Sequence, residues 1–133
     1  MTENKTLIND HIALHSCVEN LQANVFVADK DFNLVYMNVQ ARKTLKTIEP
    51  TLQEVYQVNV EDILGGSIHR FHKSPEKVEA ILKNPLALPH ELNFEFGDVI
   101  LGTAINAVWD ETGQLEAYVV NWEDITESEK LER

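Results

Sequence analysis

The sequence predicts an α+β domain: a five-stranded antiparallel sheet with short helices on one face and an N-terminal cap helix. Three observations lead there. The periodicities run as one helix, two strands, several short helices and three strands. The breaks Asp29-Lys30-Asp31, Gly97-Asp98 and Asp110-Glu111-Thr112-Gly113 are hairpin-length. Leu92, Phe94 and Phe96 alternate with Glu91, Asn93 and Glu95, the pattern of a strand with one wet face.

Taken in order, residues 1–22 supply an amphipathic helix. Over residues 6–22, Leu7, Leu14, Val18 and Leu21 fall on one stripe with Ile8 and Ile12 beside it. Residues 23–28 read as a strand and Leu34-Val35-Tyr36-Met37 as its hairpin partner. Asn38 caps the next helix, which places Ala41, Leu45 and Ile48 at core spacing and stops at Pro50. Leu52, Val55 and Tyr56 form a short turn and residues 60–64 another, ended by Gly65-Gly66. Ser74-Pro75 starts a helix with Val78, Ile81 and Leu82 as its buried stripe. Strands over residues 92–96, 99–108 and 115–122 follow, and from Ile125 the composition is that of an exposed exit helix.

Composition narrows the class of function. At 133 residues and 44% hydrophobic content the chain suits a single globular domain. A net charge of −11 argues against nucleic acid and against anionic membrane surfaces as partners. No apolar run approaches the length of a bilayer span, and Met1-Thr2-Glu3-Asn4-Lys5 has no signal-peptide core, so a cytoplasmic location is expected. The single cysteine, Cys17, has no intramolecular disulfide partner.

The segment from Gly66 to Pro75 carries the chemistry. His69 and His72 lie three residues apart and share a face if the segment forms a helical turn. Histidine is the commonest metal ligand and the usual proximal ligand of haem iron. Either residue can be the ligand, because a one-residue shift of the turn exchanges them. A zinc ion would need three or four ligands, and no cysteine or acid cluster supplies the rest. His11 and His15, one helical turn apart, read as surface residues, as does His90 beside Pro89. Trp122 sits near the end of the last strand, either as packing with its N–H given to a carbonyl or as a donor to a bound ligand. Tyr118, Val120 and Trp122 share one side of that strand, and Leu101, Thr103 and Ile105 one side of its neighbour. No nucleophile elbow, phosphate loop or paired acids occur, so a non-enzymatic protein is expected.

On Val27-Ala28-Asp29-Lys30-Asp31, Val35-Tyr36-Met37-Asn38, Asp110-Glu111-Thr112-Gly113 and Trp122-Glu123-Asp124-Ile125-Thr126, the chain resembles a PAS domain over residues 23–126. Residues 127–133 then begin the signalling helix. The glycine usual in the first hairpin turn is replaced where Phe32 or Asn33 stands. Phe71-His72-Lys73-Ser74-Pro75 is similar to PAS domains of soluble bacterial chemoreceptors, a subgroup of which binds b-type haem and detects oxygen. The resemblance implies haem b bound through His72, with His69 as rival, and Trp122 steadying the gas. Leu101, Ile105, Val120 and Ile68 would line the cofactor. Arg70 and Lys73 stand where they could neutralise propionates, or Arg70 is a solvated charge. The implied partners are a diatomic gas, a second copy of the chain joined through the N-terminal helix, and a downstream signalling domain or protein. The alternatives are a dimerisation module with a filled core and a sensor of a small organic ligand.

Overall fold

In the computed structural model, which describes residues 11–132, the chain runs α1 (His11–Glu19), β1 (Asn24–Asp29), β2 (Leu34–Met37), α2 (Val39–Thr47), α3 (Glu49–Tyr56), α4 (Pro75–Leu82), β3 (His90–Phe96), β4 (Val99–Trp109), β5 (Leu115–Asp124) and α5 (Thr126–Glu132). Short 3₁₀ turns lie at Val60–Asp62, Ile68–Phe71 and Pro85–Ala87. The strands make one antiparallel sheet in the order β2-β1-β5-β4-β3, so the first and last strands of the chain meet at its centre. Register places Trp122 between Asn24 and Thr103, Val120 between Phe26 and Ile105, and Tyr118 between Ala28 and Ala107. The helices between β2 and β3 pack over this face, as the order of periodicities predicts.

Local chemistry explains each join. In the β1–β2 turn, Asp29 Oδ1 accepts from the N–H groups of Asp31 and Asn33, both at 2.9 Å. Phe32 takes a left-handed φ of 68°, where the resemblance expects a glycine. Such a backbone costs a non-glycine residue roughly 1–2 kcal/mol. The buried ring stacks on Tyr118 at 5.7 Å between centroids and offsets that cost.

Pro50 does not stop the helix before it. α2 ends at Thr47, and Pro50 stands in the first turn of α3, whose N–H groups have no intrahelical acceptor to lose. The short turn expected around Leu52 is therefore a full helix, ended by Gln57 at φ 57°. Ser74 does occupy the N-cap of α4 ahead of Pro75, although its side chain makes no capping bond. α1 ends at Glu19, so Leu21 lies beyond it, and Leu7 and Ile8 fall outside the described residues. No α1 side chain is buried. The helix is held through Tyr36, whose Oη donates to Glu19 at 2.5 Å and whose ring meets His15 edge-on.

Asn38 is fully buried, with every hydrogen-bonding position of its carboxamide used. Its Oδ1 accepts from Val25 N and Ala41 N, and its Nδ2 donates to Val18 O and Ala23 O, all at 2.8–3.1 Å. It caps α2 as expected and also ties the end of α1 and the start of β1 to β2. Asn38→Ala should destabilise the domain by about 3 kcal/mol, read from the guanidinium midpoint, because buried donors and acceptors lose partners along with the cap. Asn38→Asp should be comparably damaging, since a carboxylate would face two carbonyls. A loss under about 1 kcal/mol for both would mean that water replaces the network.

Candidate functional site

Between the sheet and the helices lies a largely apolar cavity of about 250 Å³. The sheet contributes Phe26, Leu101, Ile105, Val120 and Trp122; α2 and α3 contribute Leu45 and Leu52; α4 contributes Val78, Ile81 and Leu82; the Ile68–Phe71 turn and its C-cap contribute Ile68, Phe71 and His72. All six residues expected around a cofactor, His72, Trp122, Leu101, Ile105, Val120 and Ile68, thus meet on one space.

The turn that carries the histidines is anchored to the first hairpin. Gly65 N donates to Leu34 O, Leu34 N to Gly66 O and Ile68 N to Phe32 O, at 2.7–2.9 Å. Ser67 Oγ then accepts from His69 N at 3.1 Å and starts the turn. Arg70 does not face a cavity mouth: its Nη2 donates to Asp62 O at 2.7 Å and to Ile63 O at 2.8 Å. A Cβ on Gly66 would lie 2.0 Å from that nitrogen, so glycine is what lets the guanidinium pass. Lys73 is exposed.

The two histidines divide their tasks. His72 is half-buried and lines the cavity, whereas His69 is not part of its wall. His69 Nε2 lies 2.8 Å from Glu79 Oε2, and its Nδ1 lies 3.1 Å from Nδ1 of His72. That leaves Nε2 as the His72 nitrogen available to the cavity. Burial, and secondarily repulsion from His69 whenever that ring is protonated, push the His72 pKa below its ordinary value of 6.5, which favours the neutral imidazole that a metal requires. Burial opposes ionisation of Glu79, but hydrogen bonds from His69 and Lys83 outweigh it and hold the carboxyl below the ordinary range.

Trp122 is buried, and its ring packs against Phe26 at 5.1 Å. Its Nε1 has no hydrogen-bond partner, so the packing reading, in which a carbonyl takes the N–H, does not describe it. Leaving such a donor unsatisfied costs about 1–3 kcal/mol, which an acceptor in the cavity would recover.

His90 was expected at the surface and instead lines the cavity, half-buried. It pairs with Ile105 and shares the parity of Leu92, Phe94 and Phe96, so extending that alternation back by one step finds it. The aromatic wall formed by Tyr56 against Phe71, Phe94 and Phe96, at 5.1–6.4 Å, had no such signal, because it joins α3, the turn and β3. Among the described residues no group of three or more His, Cys, Asp or Glu side chains gathers to hold a bare metal ion.

No family model matches the chain. It is 26% identical over 121 residues to the methyl-accepting chemotaxis protein McpB of Pseudomonas aeruginosa, which covers 90% of this chain and 18% of that receptor. The chain therefore spans less than a fifth of that relative's length. Among solved structures it is similar to the Aer2 receptor from Vibrio cholerae, described as a dual PAS-haem oxygen sensor: TM-score 0.72, 26% identity, 77% of this chain and 94% of that one. The PAS domain of BvgS from Bordetella pertussis superposes with a TM-score of 0.57 at 17% identity, over 92% of each chain. That of a Colwellia psychrerythraea protein gives 0.57 at 12% identity, over 86% of this chain and 95% of the other. The chain has the PAS fold. Its likeness in sequence is to the methyl-accepting chemotaxis protein and to the Aer2 receptor.

Because the folded state holds the His72 pKa down, the unfolded chain binds more protons than the folded one just below pH 6.5. The contribution of His72 to stability is complete above that value and is lost as pH falls through the depressed folded pKa. Denaturant midpoints measured against pH should therefore drop more steeply on the acid side of 6.5 for the natural chain than for His72→Gln. Parallel curves would show that His72 does not resist protonation.

Proposed function

We propose that this domain is a gas sensor that binds haem b through His72 Nε2 and detects a diatomic ligand, oxygen foremost, with the Trp122 N–H. The observation that carries the reading is the partnerless, buried Trp122 Nε1 on the same apolar cavity as a half-buried imidazole with Nε2 to offer. When bound, haem would supply an iron able to take up a diatomic gas. His72 holds and orients the group, Leu101, Ile105, Val120 and Ile68 exclude water, and the indole donates to a ligand that gains negative character. The similarity to the Aer2 PAS-haem sensor supports this.

From Trp122 the chain runs two residues to Asp124. There Thr126 Oγ1 donates to Asp124 Oδ1 at 2.5 Å and accepts from Ile100 N at 2.9 Å. A change at the indole thus lies on the same strand as the start of α5, the route to a downstream signalling domain or protein. The proposal includes self-association through residues 6–22, because Ile12, Leu14 and Leu21 are exposed.

One observation favours a second reading. At about 250 Å³ the cavity is below the usual range of ligand pockets, so a porphyrin enters only if its wall moves, whereas a compact apolar molecule with one acceptor oxygen fits more directly. The open cavity gives no support to a module with a filled core.

Titration of the purified protein with hemin should produce a Soret band that His72→Ala abolishes and that His69→Ala still reaches at saturating hemin. Absence of the band in the natural chain would turn the assignment to the smaller ligand. Trp122→Leu should keep haem uptake but shorten the lifetime of the oxygen complex, with a weaker effect on carbon monoxide. Equal effects on both gases would make the indole a packing group. Sedimentation of the full chain beside one starting at Gln22 tests the dimer, which requires the shorter chain alone to run as a monomer.

A further inference from the structure

We infer that Glu79 and His69 form a polar relay that fixes His72 in its Nδ1–H tautomer and so turns a bare Nε2 lone pair toward the cavity. The inference rests on the proposed role of His72 Nε2 as ligand and names the residues that prepare it.

Proton accounting leads to the assignment. The Glu79 carboxylate only accepts, so the 2.8 Å contact requires a proton on His69 Nε2. A neutral His69 then has its lone pair on Nδ1. The Nδ1 of His72, 3.1 Å away, must therefore carry the proton of that contact. What remains on His72 is an unprotonated Nε2, the only form in which it can bind a metal. The reverse polarity, with a doubly protonated His69 donating to His72 Nδ1, would leave Nε2 protonated and His72 unable to ligate.

Both ends of the relay are held by the fold. The His69 ring lies 5.2 Å from Phe32, which the left-handed turn and the stack on Tyr118 keep in place. Glu79 sits on α4 with Lys83 Nζ 3.4 Å from its other oxygen, and that ammonium also stands over Phe32 at 5.9 Å. The side chains of His69 and Glu79 are 18% and 34% exposed, so the His69 end of the relay is the better shielded from water. A carboxylate behind the ring also raises the basicity of the nitrogen at the far end. His69 and Glu79 are positioning residues: they act through His72 and do not reach the cavity themselves.

The test is a long-range proton–nitrogen NMR correlation on the full, ligand-free chain at pH 8, above the ordinary imidazole range. His72 should show a protonated Nδ1 and an unprotonated Nε2, the opposite of the form that free histidine favours. His69→Phe, which keeps a ring beside Phe32 but removes the acceptor, should return His72 to the Nε2–H form. His69→Gln, whose amide oxygen can still accept, should preserve the natural tautomer. Hemin affinity should follow the tautomer, falling about tenfold or more in His69→Phe and much less in His69→Gln. A natural chain whose His72 is Nε2–H overturns the relay, and that spectrum decides alone if the variants do not fold. A fixed Nδ1–H form in a chain that takes up no hemin supports the relay and overturns the haem reading.

Discussion

Four stretches of chain converge on the carboxamide of Asn38, and the geometry around Trp122 depends on that junction. Its Oδ1 fixes Val25 on β1, and β1 is registered against β5 through Val25 and Asn121. One residue earlier, buried Asn24 donates to Trp122 O at 3.0 Å and accepts from Thr44 of α2 at 2.8 Å. The main chain of Trp122 is thus tied through a polar seam to the helix layer. Satisfying buried groups in this way costs little when every partner is met and a great deal when one is missing. Against that background the open Nε1 of the same tryptophan is an exception within a well-paired region.

The second anchor is the strip from Gly65 to Ile68, which adds backbone bonds to the first hairpin and so sets the position of the histidine turn. Arg70 joins it from the other side by gripping the carbonyls of Asp62 and Ile63. The turn is held at its start by backbone and at its middle by a guanidinium, and its C-cap, His72, faces the cavity together with Ile68 and Phe71. A side chain at the end of a short, anchored turn has less freedom than one on a loop, which suits the ligand role proposed for His72.

Much of this was legible in the sequence where the signal is local. Alternation along β4 and β5 fixes which residues face inward, so Leu101, Ile105, Val120 and Trp122 can be gathered on one wall from the sequence alone. Asn38 as a cap and Ser74-Pro75 as a helix start follow from terminal chemistry that spans a few residues. Pro50 misleads because proline both ends and begins helices, and only the angle at Ile48 tells which. Phe32 is opaque for a different reason: its left-handed backbone is sustained by Tyr118, far along the chain. Glu79 and His69 are ten residues apart, and their meeting depends on how α4 leaves the turn. Nor does any pattern of residue types disclose that an indole will be left without an acceptor.

The bonds at the head of α5 have a mechanical consequence. Thr126 is tied to Asp124 on β5 and to Ile100 on β4, and Ile125 N also donates to Ile100 O at 2.9 Å. A joint fastened to two neighbouring strands responds to their slip against each other and ignores displacements they share. Thermal breathing of the whole sheet is common to both strands and cancels at the joint, while a disturbance confined to one of them does not. The root of the helix is thereby sensitive to relative displacement of β4 and β5, two of the strands that line the cavity.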